Sequence, residues 1–106
     1  RYYFFFRAGD TLSPGGATRT LPVGPVEEFR LAIFSCSNWP FGYFNAYREL
    51  AKRNDVHAVA HLGDYLYEYG TGGYGGQIGK ELGRNHDPQH EIVTLADYRR
   101  RHAQYR

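Results

Sequence analysis

Val56-His57-Ala58-Val59-Ala60-His61-Leu62-Gly63-Asp64-Tyr65-Leu66-Tyr67 decides the fold class. Its first seven residues have strand character, and Gly63 breaks the run. The pattern predicts a strand over 56–62 that delivers Asp64 at its carboxyl end. Upstream, Phe29 to Phe34 contains the nearly continuous apolar run Leu31-Ala32-Ile33-Phe34. Such a run suits a strand covered on both faces, as in a parallel sheet. Between the two strands, Pro40 fits the first turn of a helix. Tyr43, Tyr47, Leu50 and Ala51 follow at helical spacing, opposite Glu49, Lys52 and Arg53. Asn54-Asp55 then stops the helix. The unit is β-α-β, which makes the fold class α/β with an expected right-handed crossover. Functional groups in such sheets gather beyond the carboxyl ends of the strands. Cys36 and Asp64 both fall there, on strands expected to lie about 4.8 Å apart.

Outward from this unit the signals weaken. Tyr2 to Arg7 has β-propensity, and Gly9-Asp10 with Ser13-Pro14-Gly15-Gly16 is turn chemistry. Thr18-Arg19-Thr20 would complete a hairpin with a long loop. Leu21-Pro22-Val23-Gly24-Pro25 breaks any ladder and reads as a linker. A domain boundary is therefore placed near residue 24, giving 1–24 and 25–106. Thr71 to Gly79 holds five glycines and reads as a loop in which the glycines do not open a helix. It matches no phosphate-binding pattern. Thr94 to Tyr105 reads as a helix, with Thr94 as N-cap, Asp97 as its capping-box partner, and Leu95, Tyr98, His102 and Tyr105 along one face.

Composition narrows the function classes. The 106 residues carry 13 basic and 11 acidic side chains, a net charge of +2, too mild to indicate nucleic acid or an anionic membrane as partner. No apolar run approaches the roughly 18 residues of a membrane span. The lone cysteine forbids an intrachain disulfide. Thirteen glycines and a mean hydropathy of −0.62 imply that much of the chain is loop. Two parallel strands and two helices cannot cover a sheet on both sides. The chain is thus expected to be one piece of a longer polypeptide or of a multichain assembly.

Three side chains carry the most specific chemistry. Asp64 and Tyr67 place a carboxylate and a phenol three residues apart, oxygen donors suited to a hard cation such as ferric iron. The plain alternative is an Asp that caps a turn and a Tyr in the core. Cys36 could add a thiolate if a nearby cation deprotonates it; otherwise it is a small buried hydrophobe. His86 and His90 are four apart, but Pro88 between them argues against a helical metal pair. His57 and His61 read as core histidines or as supports behind a site. Arg99-Arg100-Arg101 with Arg106 reads as a solvated face.

Four stretches, RLAIFSCSN, GYFNAYRELAKRNDVHAVAHLGDYLYEYG, HEIVTLADYRRRHAQYR and YYFFFRAGDTLSPGGATRTLP, resemble the PhoD-like alkaline phosphatases of the metallophosphoesterase group. The resemblance implies the β-α-β start of a metallophosphoesterase αββα sandwich over 25–106. It also implies that 1–24 are the last strands and linker of an immunoglobulin- or fibronectin-type β-sandwich domain. It further implies a secreted, periplasmic or cell-surface hydrolase that acts on phosphate mono- or diesters through a metal-bound hydroxide. In that likeness Cys36 corresponds to a thiolate ligand of ferric iron, Tyr67 to a phenolate on iron, and Asp64 to a carboxylate bridging iron and calcium. No catalytic side chain and no substrate-binding residue is assigned within the segment. The other ligands would come from the rest of the same polypeptide, and the segment alone would be inactive. The competing reading is a non-catalytic interaction module with an aromatic surface and no metal.

Overall fold

A two-stranded parallel sheet anchors the structure, a computed structural model that describes all of residues 1–106. Its strands are β5 (Leu31–Phe34) and β6 (Ala58–His61), in register Leu31↔Ala58 to Phe34↔His61. The short helix α1 (Asn45–Ala51) lies between them in the chain, so the expected β-α-β order is present. The ladder continues past β6 through the Leu62 N–H, which donates to the Phe34 carbonyl at 2.8 Å.

Two features of this unit depart from the sequence reading. The sheet is covered on one face only. Ala32 and Phe34 are half-buried, and Phe34 meets Tyr47 of α1 edge-on at 4.6 Å. Leu31, Ile33 and Val59 remain exposed. The helix expected to run on from Pro40 is also broken. Trp39–Phe41 form a single 3₁₀ turn, and Phe44, at φ 52°, interrupts the path before α1 begins. Tyr43 is therefore not part of the α1 face.

The first 24 residues form two small antiparallel ladders. The pair β1 (Tyr2–Phe4) and β4 (Gly16–Thr18) is the expected hairpin, shifted by about two residues on its second strand. Its long loop holds a second hairpin, β2 (Arg7–Ala8) with β3 (Thr11–Leu12), closed by Gly9-Asp10. This region meets the rest through Asn54, whose side chain accepts from Arg1 at 2.8 Å and whose carbonyl accepts from Arg19 at 3.0 Å.

The glycine-rich stretch corrects a further expectation, because its glycines do open a helix, α2 (Gly76–Glu81). They allow close approach rather than looseness. A Cβ on Gly76 would lie 1.9 Å from the Thr71 carbonyl oxygen, and one on Gly79 would lie 2.9 Å from that of Arg84. Gly79 also seats α2 against the Trp39–Phe41 turn, where a Cβ would lie 3.0 Å from Pro40 Cβ.

Helix α3 (Leu95–Gln104) begins as read, with a complete capping box between Thr94 and Asp97. Its hydrogen bonds to Thr94 hold the Asp97 carboxyl well below the usual carboxylate range. Its buried face differs from expectation: Leu95 and His102 are exposed, while Arg101 is fully enclosed. Ile92 is the one apolar side chain in the buried set, which is otherwise Gly, Pro and polar residues. The radius of gyration, 17.3 Å, exceeds the roughly 13 Å of a compact domain of this length.

Candidate metal centre

The carboxyl ends of β5 and β6 turn away from the sheet side by side. The Cys36 N–H donates to the Gly63 carbonyl at 3.2 Å, and the Ser37 N–H to the Asp64 carbonyl at 2.8 Å. Both turns hold their functional residue in the left-handed region, Cys36 at φ 61° and Asp64 at φ 52°. Such conformations cost a non-glycine residue about 1–3 kcal/mol and collect at functional sites. Only one other non-glycine residue, Phe44, has positive φ.

These turns bring three side chains to one point. Cys36 Sγ lies 3.7 Å from Asp64 Oδ2, and the Tyr67 hydroxyl donates to the same oxygen at 3.0 Å. Cys36 and Asp64 are exposed and Tyr67 is half-buried, so the group opens outward. Its electrostatics are informative. Burial raises the Tyr67 pKa above its ordinary value, and hydrogen bonds and charge from Cys36 and Asp64 raise it further. Three acidic groups thus crowd one another without a basic side chain among them. A cation would invert that situation, because it stabilises the anionic form of each donor. The sulfur, carboxylate and phenol donors fit a ferric ion in both chemistry and convergence. No group of three or more His, Cys, Asp or Glu side chains converges anywhere in the chain, and here the third converging group is a phenol.

A second layer holds the turns from behind. Ser37 Oγ bonds His61 Nε2 at 2.9 Å and also contacts the Tyr47 hydroxyl. Tyr47 in turn lies 3.2 Å from His61 Nε2. The Gly63 N–H donates to His61 Nδ1 at 3.3 Å, so the neutral ring carries its proton on Nε2 and donates from there. His61 thus ties the Cys36 turn to the Asp64 turn, as a supporting histidine does. His57 is exposed rather than a core histidine; it accepts from the Arg30 N–H at 3.0 Å and stacks on Phe29.

His86 and His90 do not form a pair. His90 is exposed and contacts Asp97 at 3.3 Å. His86 is 1% exposed, and neither of its ring nitrogens has a partner. Burial, helped by the Arg101 charge, lowers its pKa to about 4. The arginine cluster also needs correction. Arg99 and Arg100 are exposed as expected, but Arg101 is inside. Helical spacing does not single it out, since Tyr98, three residues earlier on the same face, is exposed.

Residues 31–106 match the PhoD-like phosphatase family. The chain belongs to that family. Alkaline phosphatase D of Bacillus subtilis (strain 168) is 46% identical over 107 residues, covering 99% of this chain. The chain spans 18% of that relative's length. No solved structure matches it. The family match starts at Leu31, the first residue of β5, and so includes all three converging side chains of the PhoD-like segment.

Proposed function

We propose that the protein is a metal-dependent phosphoesterase of the alkaline phosphatase D type, and that residues 25–106 begin its catalytic domain. The observation that carries this reading is the convergence of Cys36 and Tyr67 on Asp64 Oδ2. Cys36 and Tyr67 would hold ferric iron, and Asp64 would bridge it to calcium. When bound, these ions supply Lewis-acid charge at the phosphoryl oxygens and acidify water. The chain's own part is to fix the donors. The two positive-φ turns aim Cys36 and Asp64, and Ser37 with His61 keeps the turns together. Tyr67 would serve the ion as a phenolate, the form that a bound cation favours. Three donors form an open set, so residues 1–106 alone are expected not to turn over an ester. Residues 1–24, with Tyr3 and Phe6 more than two-thirds exposed, suit the closing strands of a neighbouring β-sandwich domain. Export from the cytoplasm belongs to the same proposal, through the family.

Hydrolysis of phosphate mono- and diesters by the full-length protein, loaded with iron and calcium, tests the reading. Asp64→Asn is expected to lower kcat/KM by more than about 100-fold, since even supporting residues of metal sites are worth 10–100-fold. An Asp64→Asn protein with full rate and full metal content would contradict it. So would a colourless, metal-free protein in which Cys36→Ser is silent, as the interaction-module reading requires.

A further inference from the structure

Arg101 is at 0% exposure, yet no carboxylate pairs with it. Its guanidinium points every hydrogen bond at main-chain carbonyls. Nε donates to Asp87 at 3.1 Å, Nη2 to Pro88 at 2.7 Å, and Nη1 to Tyr67 and, at 3.1 Å, to Tyr69. A buried charge is costly unless its hydrogen bonds are satisfied, and well-packed apolar side chains often serve stability as well or better. Packing alone therefore gives a weak reason for an arginine here. What the planar five-donor fork can do, and an apolar side chain cannot, is grip two chain segments in fixed relation. Its neighbour Arg100 shows the contrast, pairing with the Asp87 carboxylate at 2.7 Å on the surface.

One gripped segment carries Tyr67. The main chain beyond it is tied to residues 89–92 by the Thr71 N–H to the Gln89 carbonyl at 2.8 Å and the Ile92 N–H to the Glu68 carbonyl at 3.0 Å. Arg101 adds a third tie to the same strip, at the residue whose phenol reaches Asp64. The rings of Tyr67 and Tyr69 stack at 6.2 Å, so the two clamped residues also meet through their side chains. We propose that Arg101 is a positioning residue for Tyr67: by clamping the Tyr67 and Tyr69 carbonyls to the Asp87-Pro88 turn, it fixes how closely the phenol oxygen approaches the cation site. This rests on the reading of Tyr67 as a ligand.

The test uses the full-length, iron-loaded protein and the phenolate-to-iron absorption in the visible. Arg101→Lys keeps the charge and loses the fork. It is expected to retain iron, to show a shifted and weakened band, and to lose about tenfold in kcat with KM little changed, in the range of supporting residues at metal sites. Arg101→Ala is expected to weaken the band further, and millimolar guanidinium to restore it. An unshifted band in Arg101→Lys beside a lowered melting temperature would reduce Arg101 to a structural role and overturn the proposal. Loss of soluble protein in both variants would overturn it too. A wild-type protein with no such band, unaltered by Tyr67→Phe, would instead sink the ligand reading and this proposal with it.

Discussion

Residues 1–24 and residues 36–105 solve the same problem, ordering a chain with few apolar contacts, in opposite ways. The amino-terminal hairpins rely on local main-chain ladders and leave Tyr2, Tyr3, Phe5 and Phe6 facing solvent. The second region contains all nine buried residues of the molecule, and only Ile92 among them is a large apolar side chain. Order there comes from glycines that let backbones touch, a capping box, an arginine bonded to four carbonyls, and two strained turns. Non-glycine residues held at positive φ, as Cys36 and Asp64 are, persist only where the surrounding structure over-determines them. The region that holds Cys36, Asp64 and Tyr67 is the over-determined one.

The largest contrast should appear on truncating one apolar side chain in each region. Ile92→Ala is expected to cost about 2–5 kcal/mol, the range for a buried isoleucine. Phe5→Ser, at a residue 63% exposed, is expected to change stability by less than about 0.5 kcal/mol. Urea unfolding of the two variants checks this, and equal losses would erase the distinction between the regions.

Acid should weaken the second region through His86. Its folded pKa of about 4 lies below the ordinary value of 6.5, so the unfolded chain binds the proton more readily. The stability from keeping the ring neutral is fully present above pH 6.5 and is lost as pH falls toward 4. At pH 5 the loss amounts to about 2 kcal/mol. His86→Leu should remove that part of the pH dependence, as read by unfolding curves at pH 8 and pH 5. An unchanged slope would mean that the ring is hydrated or paired in solution.

Much of this architecture was legible in the sequence, and the exceptions share a cause. An apolar run, β-propensity and turn residues mark β5, β6 and the first hairpin, and the Thr94–Asp97 spacing marks α3. Cys36, Asp64 and Tyr67 could be chosen because strand ends of a parallel unit are where side chains meet. Helix α2, the break at Phe44 and the buried Arg101 were not legible. Local rules assign glycine to loops and arginine to solvent, whereas here both are selected by distant neighbours: Pro40 for Gly79, and the Tyr67 and Pro88 carbonyls for Arg101. Covering of the sheet was misjudged for a related reason, since an apolar run does not say whether its second face meets a partner.

X-ray absorption at the iron edge of the full-length protein tests the central claim most directly. A sulfur scatterer in the first coordination sphere of wild-type iron, absent in Cys36→Ser while the oxygen shell persists, is the predicted result. An all-oxygen and nitrogen shell, identical in both proteins, would show that Cys36, Asp64 and Tyr67 do not share one ion.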